Sequence, residues 1–396
     1  MSSKEILVFI TLEKETFPVG KLYCYNNKGR ESASFEYDKS WLNNPEKFAL
    51  EPILKLTNGQ QYTEKALFGS IGDSAPDRWG RILMQRANKT NKTLFESDYL
   101  LGVNDFIRQG ALRFSTDGTN FLAENKNNSI PPLVKLPDLL YASEKFLEKN
   151  ETNEDLKLLL APGSSLGGAR PKASIIDKDG SLAIAKFPRK DDELDIVSWE
   201  AVALKLAQMA KITTTKFRLE KILNKSILIV KRFDRLDNNR IPFISAMSML
   251  NAIDNDEIEY NYTDIAYSIM EYGANPEKDL EELWRRMAFN IIINNTDDHL
   301  RNHGFLYKRK IGWILSPAYD LNPNLDKIIF ATTIDDSGSN NTIERAIKIA
   351  KEFRLSDNKI NEILKDIKDA VVNWKLIAKS FGINSNEIKR MEKIFK

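Results

Sequence analysis

Along this chain the hydrophobic positions change from short clustered runs to residues spaced three and four apart. The first third carries short strand-like runs bounded by polar residues, "EILVFITL" (5–12), "GKLYCY" (20–25) and "SASFEYD" (32–38), and these predict strands. The last two are joined by "NNKGRE", a polar turn holding Gly29. "SAPDRWGRILMQRA" predicts a helix with Ser74 as N-cap, Pro76 in the first turn and Asp77 at the capping-box spacing. The polar stretch 115–132 that follows "GALRF" is the best candidate for a linker.

From Leu156 the pattern shifts. "LKLLLAPGSSLGGARPKASIID" leads into "DGSLAIAKFPRK", read as strand-like segments flanking a small-residue loop and an Asp-Gly turn. "SWEAVALKLAQMA" predicts a helix capped by Ser198, and "SILIVKRFDR" an apolar strand ending abruptly in charge. Beyond about residue 245, "TDIAYSIMEYG", "DLEELWRRMAFNIII", "TIERAIKIAKEF" and "DNKINEILKDIKDAVVNWKLIAKSF" place apolar residues three and four apart, as helices do. A β-rich first half and a helical second half suggest a cleft between two lobes, a favoured place for ligands.

Composition narrows the classes. Hydrophobic residues make up 42% and aromatics 10%, enough to build cores, so wholesale disorder is excluded. Lys and Arg number 58 against 56 acids, a balance that argues against a protein reading nucleic-acid phosphates along a face. The one cysteine, Cys24, rules out an internal disulfide and a cysteine-based zinc site. "MSSKEILVFITLEKE" meets charge too early for a signal peptide, and no apolar run is long enough for a membrane span. The expectation is a soluble cytoplasmic protein.

The chemistry concentrates in "NNTDDHLRNHGFL" (294–306), which holds both histidines of the chain, His299 and His303. It follows a helix that turns fully apolar, so its polar side chains are expected on the floor of a cleft. Asp297 and Asn302 stand at an Asp-x4-Asn spacing, and "GWILSPAYD" reads as a strand running through Tyr319 into Asp320. Phosphoryl transfer needs that set: a carboxylate to orient and deprotonate the acceptor hydroxyl, and hard oxygen ligands for magnesium. Asp297 is the candidate base, with Asn302 and Asp320 the candidate metal ligands. Alone, the spacing is a weak signal, because Asp and Asn are common in loops. A zinc pair from the two histidines with Asp297 and Asp298 ranks below magnesium, and His303 is read as a packed loop residue, with His299 orienting the loop. Upstream, "GSSLGGARPK" offers backbone N–H donors, with Arg170 and Lys172 for phosphate oxygens. Lys186 sits inside "LAIAKF", a place that tilts it from a solvated lysine toward function. Glu200, early in the next helix, is evenly balanced between pairing with that lysine and simply favouring a helix N-terminus. Backbone groups of Lys231, Arg232 and Phe233 form a candidate hinge for an adenine edge. Trp79, Trp199, Trp284 and Trp313 read as core.

In order, "GSSLGGARPK", "AIAKFP", "WEAVALKLA", "VKRFDR", "SAMSML", "NNTDDHLRNHGFL" and "LSPAYDLNP" resemble the HipA family of bacterial toxin kinases. Upstream, "VGKLYCYNNKGRESASFEYDKSWL", "PDRWGRILMQR" and "GALRF" are similar to that family's N-terminal subdomain, so the resemblance covers nearly the whole chain. It implies an α+β, two-lobed protein-kinase-like fold: a subdomain at 1–132, a β-rich kinase N-lobe at 133–237 and a helical C-lobe at 238–396. It further implies a Ser/Thr protein kinase using ATP and Mg2+, paired with a HipB-like helix-turn-helix antitoxin through which alone it meets DNA, and with aminoacyl-tRNA synthetases among the family's targets. The matching positions are Asp297 as base and Asn302 and Asp320 as metal ligands. Gly167, Gly168, Ala169, Arg170, Pro171 and Lys172 match the phosphate loop. Lys186, Glu200, Lys231, Arg232, Phe233, His299 and Tyr319 complete the nucleotide site. The family autophosphorylates a Gly-rich-loop serine; Ser165 matches and Ser164 precedes it, so either is open. Asp320 is followed by Leu-Asn, so the activation-loop rules of eukaryotic kinases do not carry over. A small-molecule kinase and a non-catalytic nucleotide-binding co-repressor are the competing readings.

Overall fold

The structure is a computed structural model, described over residues 2–89, 92–121, 130–163, 168–237, 239–253, 259–338 and 341–395. Its contacts divide the chain into two compact units. The first holds 1–190, 231–244 and 306–310; the second holds 191–230, 245–305 and 311–396.

The first unit opens with strands β1 (Ser2–Leu12), β2 (Glu15–Asn27) and β3 (Arg30–Tyr37), an antiparallel meander. Two short strands, β4 (Gln60–Thr63) and β5 (Leu112–Ser115), complete a sheet of order β4-β3-β2-β1-β5. Along β1, Ile6, Val8, Ile10 and Leu12 are buried while the residues between them are not fully so, which is the period-two pattern of a sheet with one covered face. The β2–β3 turn takes left-handed backbone at Lys28 and Gly29, with φ of 50° and 89°, as a two-residue hairpin requires. At Gly20 a Cβ would fall 2.3 Å from the Glu36 carbonyl oxygen, so only glycine allows β2 to pair there with β3. Cys24 is buried on this sheet, and burial pushes its thiol up to about 12, which leaves it unreactive.

The helix expected from Ser74 begins later. α1 spans Arg78–Ala87, and Asp77 is its cap, accepting from the Gly80 N–H. α2 (Leu136–Leu147) and α3 (Asn153–Gly163) pack beside it, with Trp79 edge-on to Phe146 at 5.3 Å. α3 also corrects the expectation for "LKLLLAPG": a short apolar run has no readable period of its own, and here it is helical. The small-residue loop therefore leads from a helix, not a strand, into the hairpin of β6 (Lys172–Ile176) and β7 (Leu182–Lys186).

In the second unit α4 (Ile196–Met209) is capped by Asp195 rather than Ser198; the Ser198 N–H and hydroxyl both donate to the Asp195 carboxylate, at 3.0 and 2.6 Å. β8 (Phe217–Ile222) and β9 (Lys225–Lys231) form an antiparallel hairpin. α5 (Tyr262–Tyr272) starts at a full capping box, Asn261 with Asp264, and α6 (Pro276–Ile292) follows. The long helical pattern near the C-terminus is broken into α7 (Asp357–Val371) and α8 (Trp374–Ser380), and α9 (Ser385–Met391) follows. Trp199 of α4 lies against Trp374 and Phe395, and all four tryptophans read as core are indeed buried. No described helix is long and apolar enough to cross a membrane.

Candidate functional site

The last turns of α6 are encased: Trp284, Met287, Ala288, Phe289 and Ile293 have no exposed surface. The chain leaves this core through Asn294, whose φ of 52° is left-handed, a conformation asparagine tolerates better than most residues. The loop that follows is built on a buried polar knot. Asp298 is buried, and one of its oxygens, Oδ2, accepts from the Tyr262 hydroxyl, from Asn290 Nδ2 at 3.0 Å and sits 2.9 Å from His303 Nε2. Burial alone would raise this carboxyl, but the His303 ring and the Tyr262 hydroxyl outweigh it and hold it below the ordinary value. Tyr262 is driven the other way, well above its ordinary value, by burial and by Asp298. Asn290 Oδ1 in turn accepts from Asn295 Nδ2 at 3.2 Å, and Asn295 Oδ1 accepts from the Asn322 N–H at 3.3 Å.

Of the two adjacent aspartates, one is thus the anchor and the other faces out. The side chain of Asp297 keeps 64% of its surface, beside Lys327 Nζ at 3.6 Å. Asn302 is mostly buried, and its Nδ2 donates to the Asp297 carbonyl at 3.1 Å. That bond fixes the amide, leaving Oδ1 as the face with which Asn302 can meet a cation. Asp320 is half-buried and takes a left-handed φ of 60°. Its segment is tied down on both sides, by Ala318 N–H to the Thr213 carbonyl at 2.8 Å and by the Tyr319 hydroxyl to the Arg301 carbonyl at 2.7 Å. The donor set, one amide oxygen and one carboxylate, is hard and suits magnesium, which keeps waters and phosphate oxygens as its other ligands. The histidines do not converge as a zinc pair would: His303 is buried against Asp298, whereas His299 is exposed. His303 is the ring packed inside the loop, while His299, expected to orient it, lies on the surface.

The phosphate-loop and hinge candidates lie in the first unit. Gly168 and Ala169 are exposed, Arg170 is half-buried and Pro171 is buried, while Ser164, Ser165 and Gly167 lie outside the described residues. Gly168 has a left-handed φ of 86° and its carbonyl accepts from the Trp79 N–H at 3.4 Å. Lys172 and Lys186 are direct partners across the β6–β7 hairpin, so both side chains share one face of it. Lys172 is buried, with the Trp79 indole donating to its carbonyl at 3.0 Å and its Nζ 3.9 Å from Asp77. Arg232 is held through both its backbone and its side chain. Its N–H donates to the Leu182 carbonyl at 3.2 Å, and its buried guanidinium donates to Asp234 and to the Ile107 carbonyl at 2.6 Å. Lys231 and Phe233 on either side are half-buried. Glu200 lies buried in α4 of the second unit.

Two roles were not read from the sequence. Asp298 was weighed only as a zinc ligand and not as the anchor of the loop; two adjacent acids after a buried helix are themselves a signal, since successive side chains there point opposite ways. Lys327 carried no signal, because nothing in "NPNLDKII" says which residue faces Asp297.

Comparison with known proteins accounts for most of the chain. Residues 164–375 match the HipA-like C-terminal domain, and residues 14–101 match the HipA N-terminal domain. A candidate kinase of Haemophilus influenzae is 22% identical over 230 residues, 52% of this chain and 62% of that protein, so the chain spans about three-fifths of the length of the curated relative it matches. Among solved structures, a chain from the complex of the Shewanella oneidensis MR-1 toxin–antitoxin proteins HipA and HipB with operator DNA is similar with a TM-score of 0.69. Identity there is 16%, and the match covers 98% of this chain and 95% of that one. A looser likeness, TM-score 0.40 at 18% identity over 58% of this chain and 90% of the other, is to the Helicobacter pylori proinflammatory kinase CtkA. The fold is accordingly the expected α+β fold of the two-lobed, kinase-like class. With the C-terminal family alone matching more than half of its residues, the chain belongs to the HipA family.

Proposed function

We propose that the chain is an ATP-dependent serine/threonine protein kinase, the toxin of a toxin–antitoxin pair. The observation that carries this is the division of labour in 294–303: a buried Asp298 anchors the loop, while Asp297 stays exposed and the Asn302 amide nitrogen is held by the Asp297 carbonyl. Asp297 accepts the proton of the acceptor hydroxyl as its oxygen attacks the γ-phosphorus and the bridging oxygen leaves with ADP. Asn302 and Asp320 would hold magnesium, which when bound neutralises charge on the phosphates. Lys186 and the backbone of the 167–172 loop would hold the nucleotide phosphates, and Lys231 to Phe233 would meet the base. The Arg232 side chain takes no part, being spent on Asp234. A phosphate on Ser164 or Ser165 would place a dianion in the phosphate loop and repel the nucleotide. The Shewanella structure, solved with HipB and operator DNA, favours a helix-turn-helix antitoxin of that kind as the partner, with DNA reached through it. The protein target, in this reading, is of the aminoacyl-tRNA synthetase kind.

Intact mass spectrometry of the purified protein, before and after Mg-ATP, tests this against Asp297→Ala. The expected result is one added phosphate in the wild type at Ser164 or Ser165. Transfer in the variant should fall roughly 10²–10⁴-fold with an unchanged melting temperature. A wild type that binds Mg-ATP yet phosphorylates neither itself nor any lysate protein would favour the nucleotide-binding co-repressor instead.

A further inference from the structure

The segment after Asp320 returns to the loop that carries Asp297 and clamps onto it twice. Asn294, three residues before Asp297, donates through Nδ2 to the carbonyls of Asn324 at 2.6 Å and Lys327 at 3.1 Å, and its own carbonyl accepts from the Asn324 N–H at 3.0 Å. The Asn324 side chain closes the turn, accepting from the N–H groups of Asp326 and Lys327 at 3.0 and 3.1 Å. Further on, the Ala331 N–H donates to the Thr296 carbonyl at 2.9 Å. Burial does not explain this attachment: Ile328 and Ile329, next along the segment, are 83% and 68% exposed. The clamp is polar and fixes backbone, and the side chain it brings to Asp297 is the Lys327 ammonium, at 3.6 Å. As an ordinary surface ion pair this contact would be worth little. Its placement is what distinguishes it, since a cation there lies beside the atoms between which a proton and a phosphoryl group would pass.

We infer that Lys327 is a further catalytic residue of the phosphoryl-transfer site. The inference rests on Asp297 being the base. As the acceptor O–H gives its proton to Asp297, its oxygen bonds to the γ-phosphorus and the bond to the bridging oxygen breaks, negative charge spreads over the three equatorial oxygens. The Lys327 ammonium donates to one of them, adding to the charge stabilisation that phosphoryl transfer depends on. Asn294 is the positioning residue that holds it there.

The test measures steady-state phosphate transfer by the full-length protein, with Mg-ATP as the varied substrate, for the wild type, Lys327→Met, Lys327→Arg and Asn294→Ala, alone and combined. Lys327→Met should lower kcat 10–100-fold with the KM for ATP changed less than twofold and no change in melting temperature, since the side chain is exposed. Lys327→Arg should recover most of the loss. Asn294→Ala should lower kcat less, and should add nothing once residue 327 is Met. A wild type that transfers phosphate alongside a Lys327→Met variant within twofold of it overturns the inference and leaves the kinase reading standing. A wild type that binds Mg-ATP and transfers nothing overturns both.

Discussion

Asp234 in the first unit and Asp298 in the second are both buried carboxylates, and the two are neutralised differently. In the first unit Asp234 is buried between Arg232 and Arg235, with Arg235 Nη1 at 2.7 Å and the Gly110 N–H donating at 2.8 Å. The knot reaches further: Arg235 donates to the carbonyls of Gly110 and Arg108 at 3.1 and 2.7 Å, and a further arginine, Arg240, donates to that of Asp105, whose carboxylate pairs with Arg113. Burial would push Asp234 up, but the charges of Arg232 and Arg235 win and hold it well below the carboxylate range. In the second unit Asp298 has no arginine. Its partners are a histidine, a tyrosine and an asparagine, three donors converging on one oxygen. The lesson is in what each knot ties. The arginine knot ends on main-chain carbonyls of 105–110 and so welds segments of one unit together. The Asp298 knot runs through Asn290 to Asn295, within the loop that carries Asp297, and so sets the pose of that single loop.

The largest expected effect comes from cutting the arginine knot. Asp234→Ala leaves Arg232 and Arg235 buried without their counter-charge, a change that typically costs about 3–5 kcal/mol. Denaturant unfolding at neutral pH should show that loss with the slope unchanged. A variant within about 1 kcal/mol of wild type would mean that water or a shifted side chain replaces the carboxylate, and the welding role would fall with it.

Glu51, another buried carboxylate, shows what happens when burial outweighs the charge of a nearby lysine, Lys65. Glu51 is 1% exposed and bonded through Oε2 to the Ser70 N–H, while Oε1 has no hydrogen-bond partner. Burial raises it from the ordinary 4.5 to about 7. The folded state therefore holds this proton more tightly than the unfolded chain does. Stability contributed by the protonated form is complete below about pH 4.5 and is lost as pH rises to about 7. The whole loss is at most about 3 kcal/mol, because each tenfold difference in proton affinity between the folded and unfolded chain is worth about 1.36 kcal/mol. Glu51→Gln removes the titration, so it should match wild type near pH 4.5 and melt higher than wild type at pH 8. Equal melting temperatures at pH 8 would show that Glu51 finds a partner when ionised.

These carboxylates also mark where the sequence could and could not be read. The strands of the first sheet were legible because short apolar runs such as 6–10 are punctuated by polar turns like "NNKGRE", and the order of polar motifs located the loop at 294–303; which of Ile6 to Ile10 face the core was not legible, because Leu7 and Phe9 are as apolar as their neighbours. α3 was misread because Leu158, Leu159 and Leu160 are contiguous and carry no period. The caps moved by a few residues because Ser74 and Ser198 each stand near an aspartate that caps better. Arg232 was read as part of a hinge; the Ile107 carbonyl that its side chain meets is more than a hundred residues away, and no local pattern reports such a contact. The pose of the Asn302 amide likewise depends on one hydrogen bond to a main-chain carbonyl, which no side-chain pattern encodes.

The smallest effect is expected at Asp298, and it decides whether the two knots really differ. Asn at 298 can set its amide oxygen where Oδ2 now sits and still accept from Tyr262, Asn290 and His303. What it loses is the charge that strengthens those bonds, about 1.5–3 kcal/mol for hydrogen bonds to a charged group. No formal charge is left stranded, in contrast to Asp234→Ala. Asp298→Asn should therefore unfold at lower denaturant than wild type but at higher denaturant than Asp234→Ala. Phosphate transfer should fall while remaining above that of Asp297→Ala, because the exposed base is still present on a loosened loop. If Asp298→Asn and Asp234→Ala lose the same stability, the Asp298 knot is a weld like the other. If Asp298→Asn transfers phosphate at the wild-type rate, the knot does not set the pose of Asp297, and the loop must be held from the Asn294 and Thr296 clamps alone.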